Sequence, residues 1–167
     1  TANFIYDIED KEMIKINIDG REIEVEKGIT VLQAARKAKI DIPTLCFLKD
    51  INEAGDCRMC IVEIEGRRGL VPSCNTKVEE GMKIKTNTPA INESRKVILD
   101  LILSSHNRAC LTCVRNGNCE LQTLAEKFGM GEIEYPGKEV EPHIDDLSPS
   151  IVRDASKCIM CKRCVAT

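Results

Sequence analysis

The stretch 13-MIKINIDGREIEVE-26 determines how the fold of this chain begins. Polar and apolar residues alternate over residues 13–18 and again over residues 22–26, a pattern typical of strands with one buried face. Asp19-Gly20 lies between the two runs, and an Asp-Gly pair favours the two-residue turn of a β-hairpin. The sequence therefore predicts an antiparallel hairpin at this position.

The residues that follow the hairpin predict a small mixed sheet with one helix packed on it. Thr30 is suited to cap a helix over residues 31–38, whose apolar side chains share one face. Residues 61–64 (IVEI) and 82–86 (MKIKT) have the pattern of two further strands. We therefore expect an α+β domain.

The apolar spacing changes to a helical period after the predicted sheet. Thr88-Pro89 is a helix N-cap followed by Pro at the first helical position, and helical spacing continues to Ser105. A second helix opens at Cys119 and ends at nearby glycines. We expect a small helical module at this point.

Composition and charge exclude several classes of function. The 167 residues carry a net charge of −3, so there is no surplus of Lys and Arg to bind nucleic-acid phosphates. No apolar run approaches the roughly 20 residues that span a bilayer, and the first ten residues lack the pattern of a signal peptide. We expect a cytoplasmic protein without nucleic-acid binding or direct membrane insertion.

Ten cysteines fall into three groups, and every cysteine belongs to one of them. The spacings are C-x10-C-x2-C-x13-C, then C-x2-C-x5-C with a His four residues ahead of it, then C-x2-C-x2-C. The groups are Cys46, Cys57, Cys60 and Cys74; His106, Cys110, Cys113 and Cys119; and Cys158, Cys161 and Cys164. This partition constrains the function more than any other feature of the sequence.

Three kinds of chemistry account for such groups. Disulfides need an oxidising compartment, and the sequence shows no export signal. Zinc sites usually join two C-x2-C knuckles, or one knuckle and a His pair, whereas each group here has a single knuckle with unevenly spaced partners. A C-x2-C-x2-C run is typical of iron–sulfur proteins. The spacing favours iron–sulfur clusters, and a zinc-stabilised interaction module is the alternative of another class.

Two individual residues extend this hypothesis. The second group has three cysteines where a cubane cluster takes four ligands, and His106 is close enough in sequence to be the fourth; a neutral imidazole in place of a thiolate raises the reduction potential. Gly55, two residues before Cys57, is expected to allow backbone N–H groups to approach the sulfurs. His143 has no cysteine nearby and is expected to be a surface residue, as are the many Asp and Glu residues.

The residues around the cysteines resemble a known family. The segments 43-PTLCFLKDINEAGDCRMCIVEIEG-66, VPSCNT and EEGMKIKTNT resemble the plant-type 2Fe–2S domain at the front of iron-only (FeFe) hydrogenases of the NAD(P)-linked type. The large iron–sulfur subunit of respiratory complex I and NAD-linked formate dehydrogenase share that domain. HNRACLTCVRNGNCELQ resembles their next segment, which binds a 4Fe–4S cluster through one His and three Cys.

The resemblance implies a plant-ferredoxin-like β-grasp fold and a set of ligands. The 2Fe–2S cluster would be held by Cys46, Cys57, Cys60 and Cys74, and the 4Fe–4S cluster by His106, Cys110, Cys113 and Cys119. The implied function is an electron relay between a flavin/NAD(P)-binding iron–sulfur subunit or a ferredoxin and a hydrogen-converting site, with formate dehydrogenase and complex I as alternatives. We expect no catalytic residue within 1–167, because the sequence has no P-loop, no dinucleotide-binding glycine motif and no nucleophile–base set.

The last twenty residues, SPSIVRDASKCIMCKRCVAT, resemble the start of a ferredoxin-like domain with two 4Fe–4S clusters. That pattern continues to a fourth Cys, which would be residue 168, whereas the complex I relatives take their fourth ligand from far downstream. We therefore interpret Cys158, Cys161 and Cys164 as an incomplete third 4Fe–4S site, and the chain as the N-terminal piece of a longer polypeptide with a C-terminal catalytic domain.

The chain is expected to consist of five parts. The expected parts are an N-terminal extension (1–12), a 2Fe–2S domain (13–88), a helical 4Fe–4S module with one His and three Cys ligands (89–131), an irregular surface linker (132–150) and the truncated start of a ferredoxin-like domain (151–167).

Overall fold

A five-stranded mixed sheet with the strand order β2-β1-β5-β3-β4 forms the N-terminal part of the protein. The computed structural model describes residues 12–138 and 143–167, so the expected N-terminal extension lies outside the described residues except for Glu12, as do positions 139–142 of the expected linker. The strands are β1 (Met13–Ile18), β2 (Arg21–Glu26), β3 (Ile61–Ile64), β4 (Leu70–Pro72) and β5 (Lys83–Lys85).

The predicted hairpin is confirmed. Strands β1 and β2 pair antiparallel with Met13 opposite Glu26. Asp19 and Gly20 both have positive φ angles, 52° and 84°, as a type I′ turn requires. The alternation in β1 places Ile14, Ile16 and Ile18 in the core, which explains why the hairpin register is well defined.

Strand β4 was not predicted, and β5 completes the sheet between two earlier strands. The three residues of β4 pair antiparallel with β3 at the sheet edge. A three-residue run that ends in Pro72 carries almost no period-two signal, and Pro is tolerated only at such an edge. Strand β5 runs parallel to β1 and antiparallel to β3.

The helix α1 (Val31–Lys37) packs on this sheet as predicted. Thr30 and Gln33 form a capping box, in which the Gln33 N–H donates to Thr30 Oγ1 at 3.2 Å and the Thr30 N–H donates to Gln33 Oε1 at 2.9 Å. The apolar face of α1 is buried in the main core cluster together with Ile14, Ile16, Ile18, Val62 and Ile84.

Two further helices, α2 (Pro89–Ser104) and α3 (Glu120–Lys127), confirm the predicted helical segments. Thr88 caps α2, since its hydroxyl accepts from the Ile91 N–H at 3.3 Å. None of the helices in the described ranges is both long and apolar enough to cross a bilayer. A second apolar cluster joins these helices to the loop before β3 and consists of Leu45, Met59, Leu99, Leu103, Leu121 and Leu124.

The expected irregular linker is more ordered than the sequence predicted. Ile144–Asp145 forms strand β6, which pairs antiparallel with β7 (Arg153–Asp154). The carboxylate of Asp100 accepts the N–H groups of Glu134 at 3.1 Å and Tyr135 at 2.9 Å. Asp100 is only 4% exposed, so the expectation that the acidic residues are all solvated was wrong at this position.

Candidate metal centres

The first cysteine group lies in the loop between α1 and β3 and in the turn after β4. Cys46, Cys60 and Cys74 are buried, and Cys57 is half-buried. The N–H of Cys46 donates to Cys57 Sγ at 3.4 Å, and the N–H of Cys57 donates to Cys46 Sγ at 3.5 Å. The loop therefore aims backbone donors at two of the sulfur atoms.

The four thiols are arranged as two pairs, Cys46 with Cys57 and Cys60 with Cys74. Interaction with the Cys74 side chain lowers the pKa of Cys60 to about 6, and interaction with Cys60 together with burial raises the pKa of Cys74. Burial raises the pKa of Cys46 to about 11. One thiolate is thus already stabilised by hydrogen bonding, and thiolate is the form that ligates metals.

Gly55 and Ser73 shape the space around Cys74. Gly55 has φ +77°, and a Cβ there would lie 3.1 Å from Asn75 Nδ2 and 3.4 Å from Cys74 Sγ. A side chain at position 55 would therefore be crowded in this turn, and the predicted approach of N–H groups to the sulfurs because of Gly55 stays a prediction. Ser73, which no sequence pattern singled out, has a fully buried hydroxyl without a hydrogen-bond partner among the described residues, and its nearness lowers the pKa of Cys60.

The second group lines a single cavity of about 150 Å³ at the C-terminal end of α2 and the N-terminal end of α3. The four predicted donors all line this cavity: His106, Cys110, Cys113 and Cys119. His106 Nδ1 is buried without a hydrogen-bond partner among the described residues. Burial, assisted by the Lys157 ammonium, lowers the pKa of His106 and keeps the imidazole neutral. An unpartnered neutral imidazole beside three thiols has the chemistry of a mixed ligand set of one His and three Cys.

The third group lies in the loop after a 3-10 turn at Ala155–Lys157. Cys158 and Cys164 are exposed and Cys161 is half-buried. The Met160 N–H donates to Cys158 Sγ at 3.4 Å, and Met160 and Lys162 have left-handed φ angles of 51° and 60°. Non-glycine residues in this conformation are uncommon and mark tightly turned loops, such as those around ligands.

His143 lies away from the cysteine groups. Its side chain is exposed, and its carbonyl oxygen accepts from the Ala155 N–H at 3.3 Å. This position agrees with the prediction of a surface residue.

The donors in the structure fit iron–sulfur chemistry. All ten cysteines lie in the described ranges and are free thiols, which contradicts the disulfide alternative. Within residues 12–138 and 143–167, no three His, Cys, Asp or Glu side chains lie close enough together to hold a single metal ion. The first group instead forms two thiol pairs, and the second surrounds a cavity. The fold and these donors define an iron–sulfur protein.

Comparisons with protein families agree with this class. Residues 11–89 match the model of the 2Fe-2S iron-sulfur cluster binding domain. Residues 95–134 match the NADH-ubiquinone oxidoreductase-G iron-sulfur binding region. The first match contains Cys46, Cys57, Cys60 and Cys74, and the second contains His106, Cys110, Cys113 and Cys119.

The individual relatives are named as hydrogenases and as a subunit of an NADH-quinone oxidoreductase. The chain is 49% identical over 157 residues to the NADP-reducing hydrogenase subunit HndD of Solidesulfovibrio fructosivorans, and this match covers 91% of this chain and 27% of that protein. It is 44% identical over 155 residues to the G 2 subunit of the NADH-quinone oxidoreductase of Rhizobium meliloti, over 92% of this chain and 18% of the relative. A solved NAD+-reducing [NiFe]-hydrogenase in the H2-reduced state superposes with a TM-score of 0.85 at 30% identity, over 92% of this chain and 64% of that one.

These findings identify two iron–sulfur modules in the chain. A 2Fe-2S iron-sulfur cluster binding domain is followed by a segment that matches the NADH-ubiquinone oxidoreductase-G iron-sulfur binding region. The two matched modules are those of a 2Fe–2S cluster and a 4Fe–4S cluster. The chain spans about a quarter or less of the length of these two curated relatives.

Proposed function

We propose that this chain relays electrons in an NAD(P)-linked hydrogenase of the iron-only type. Its partners would be a flavin/NAD(P)-binding iron–sulfur subunit or a ferredoxin on one side, and a C-terminal catalytic domain with the hydrogen-converting site on the other. The similarity to a subunit of an NADP-reducing hydrogenase supports this proposal. We also propose a cytoplasmic location, because ten unpaired thiols suit a reducing compartment.

The observation that supports the relay is that residues from all three cysteine segments pack against one apolar cluster. Cys57 of the first group, Cys119 of the second and Ile159 of the third pack against the cluster built on Leu45 and Met59. A shared, close-packed apolar surface holds the three segments at fixed positions relative to one another. Fixed positions are what a protein contributes to electron transfer between clusters.

The pairing of the thiols supports the ligand assignment of the first centre. Each iron of a 2Fe–2S cluster takes two thiolates. We assign Cys46 and Cys57 to one iron and Cys60 and Cys74 to the other, as their contacts suggest. For the 4Fe–4S centre we assign His106, Cys110, Cys113 and Cys119, which line one cavity. Cys158, Cys161 and Cys164 remain three ligands of a third 4Fe–4S site whose fourth ligand would come from elsewhere.

The chain's own residues affect the charge and the reduction potential of the two centres in different ways. The clusters, when bound, accept and release single electrons. Burial of three of the four first-group cysteines limits water, while the N–H groups of Cys46 and Cys57 offset negative charge on the sulfurs and raise the potential. The second centre is more exposed, since Cys110 is exposed, but its neutral His106 lowers its negative charge.

Two neighbouring functions are the alternatives. The same relay serves in a complex I large subunit, and the 44% identity to an NADH-quinone oxidoreductase subunit supports that alternative. An NAD-linked formate dehydrogenase is a third setting for the module. The zinc-stabilised interaction module has no support from the family matches, which describe iron–sulfur regions.

Anaerobic iron and sulfide analysis with EPR spectroscopy after dithionite reduction tests the relay. We expect about six irons and two distinct signals, and about ten irons if the third site also fills. Stoichiometric zinc in a colourless protein would contradict the relay. Hydrogen-dependent reduction of NAD(P)+ by the whole protein with its partner subunits tests the hydrogenase assignment, and its absence alongside NADH–quinone or formate activity would favour the alternatives.

A further inference from the structure

The third cysteine group is docked directly on the loop of the first, and Arg163 makes most of the contact. Arg163 Nη2 donates to the carbonyl oxygen of Phe47 at 3.1 Å, and its Nε donates to that of Cys46 at 3.4 Å. Its Nη1 forms an ion pair with Glu120 Oε2 at 2.9 Å. The guanidinium therefore lies against the peptide that follows Cys46.

Two further contacts hold the same segment in place. The buried Asn52 amide donates from Nδ2 to the carbonyl oxygens of Cys46 at 3.2 Å and Cys161 at 2.7 Å, so that one side chain joins the two loops. Lys162 Nζ lies 3.1 Å from Asp56 Oδ1, next to Cys57. The cations Lys162 and Arg163 thus reach both cysteines of the first pair, each through an adjacent group.

Both cations favour the reduced form of the first centre. A 2Fe–2S cluster with four thiolates is negatively charged and gains another negative charge on reduction, so nearby positive charge favours the reduced form. Lys162 offsets the carboxylate of Asp56, which by itself would disfavour reduction. Arg163 points its Nε and Nη2 at the Cys46 loop, while Glu120 balances the charge from the opposite side of the guanidinium.

We propose that Lys162 and Arg163 make the third cysteine segment an element that sets the reduction potential of the 2Fe–2S centre. With the segment docked, the midpoint potential of that centre is higher than with the segment displaced. This inference rests on the proposed ligand role of Cys46 and Cys57. It also implies reciprocity: docking of the loop at residues 158–164 favours reduction of the first centre, and reduction favours docking.

The test is an EPR-monitored redox titration of the 2Fe–2S signal in the purified full chain and three Arg163 and Lys162 variants. Arg163→Gln and Lys162→Gln remove one charge each, and we expect both to shift the midpoint potential to more negative values. Arg163→Lys keeps the charge and should remain close to the unsubstituted protein. Because the effect is electrostatic, raising the salt concentration should shrink the shift of Arg163→Gln.

Arg67→Gln is the matched control. Arg67 is also a partly exposed arginine in an ion pair, with Glu79 at 2.7 Å, but it lies beyond the far end of β3 from Cys60. This variant should not change the midpoint potential. Hydrogen exchange of residues 158–165, measured on the same samples, reports whether the segment stays docked.

Different results would contradict this inference and the proposed function. Unchanged midpoint potentials in both Gln variants would overturn the inference, as would equal shifts in Arg163→Gln and Arg67→Gln. A shift in Arg163→Lys as large as that in Arg163→Gln, with the segment still docked, would also overturn it, because the charge would then be irrelevant. Absence of any 2Fe–2S signal in the unsubstituted protein would instead contradict the proposed function itself.

Discussion

The guanidinium of Arg95 in α2 donates from Nη2 to the carbonyl oxygen of Ile61 at the start of β3, at 2.8 Å. The same side chain donates from Nε to the carbonyl oxygen of Met59 at 3.1 Å, and the residue is only 4% exposed. Burial lowers the pKa of Arg95, yet a guanidinium stays protonated in proteins. This buried cation therefore connects the helical module to the segment that carries Cys60.

Replacing Arg95 with Met should destabilise the protein by about 2–4 kcal/mol, because two buried carbonyl groups lose their donors while the aliphatic volume is largely kept. Urea unfolding measures the loss. Lys96→Met, at the exposed neighbouring position, is the control and should change stability by no more than about 0.5 kcal/mol. Equal losses in the two variants would show that Arg95 does not join the modules.

Gly55→Ala should reduce both stability and 2Fe–2S content. Its φ of +77° disfavours any side chain, and the added Cβ would meet Asn75 Nδ2 at 3.1 Å and Pro72 Cβ at 3.3 Å. Gly69→Ala is the matched control, because Gly69 has φ +80° with nothing within 4 Å of the added Cβ. Both variants have the same kind of backbone strain, so the difference between their free energies of unfolding measures the crowding. We expect Gly55→Ala to be about 1–3 kcal/mol less stable than Gly69→Ala.

Thermal unfolding and the visible absorption of the bound cluster measure this pair of variants. Equal stability and equal cluster content would mean that the turn beside Cys74 relaxes without consequence for the centre. Loss of cluster in Gly55→Ala with stability equal to that of Gly69→Ala would place the crowding at the ligand rather than in the fold.

Local signals in the sequence predicted most of the secondary structure. The hairpin turn at Asp19-Gly20, the Thr30 cap and the Thr88-Pro89 helix start each depend on neighbouring residues, and all three are confirmed. Strand β4 depends on pairing with β3 and carries almost no signal of its own. Long-range pairing of this kind is set by the tertiary structure rather than by propensity.

The residues of the candidate site also fall into those that the sequence predicted and those that it could not predict. The spacing of the cysteines was sufficient to group them, and the structure brings His106 into one cavity with Cys110, Cys113 and Cys119. Arg95 and Arg163 could not be predicted, because their partners lie 34 or more residues away and are mostly main-chain carbonyls, which every residue has. Only the position of Arg163 between two cysteines offered a hint.

Asp100→Asn should loosen the segment after α3. The two carboxylate oxygens of Asp100 accept the Glu134 and Tyr135 N–H groups, whereas an Asn side chain offers one oxygen and turns its amide donor toward the other N–H. We expect a loss of about 1–3 kcal/mol and faster hydrogen exchange at the Glu134 or Tyr135 amide. Glu93→Gln, at an exposed position of the same helix, should change neither quantity. Unaltered exchange in Asp100→Asn would show that the carboxylate does not hold this segment.

His106→Ala should remove the 4Fe–4S centre and leave the 2Fe–2S centre in place. The imidazole shares its cavity with the three thiols of the second group, and its Nδ1 is buried without a hydrogen-bond partner among the described residues. Iron analysis should fall from about six to about two irons, and one of the two EPR signals should disappear. His106→Cys supplies a thiolate instead, so it should retain the cluster with a more negative midpoint potential, because a charged ligand replaces a neutral one.

His143→Ala is the matched control for this pair, because His143 is the second histidine of the chain and its side chain is exposed. It should keep about six irons and both signals. If His106→Ala also keeps both signals, then the fourth ligand of the second centre is another group. A 4Fe–4S potential in His106→Cys that equals that of the unsubstituted protein would likewise show that the imidazole does not touch the cluster. Loss of the 2Fe–2S signal in His106→Ala would mean that the two centres assemble together through the apolar cluster that they share.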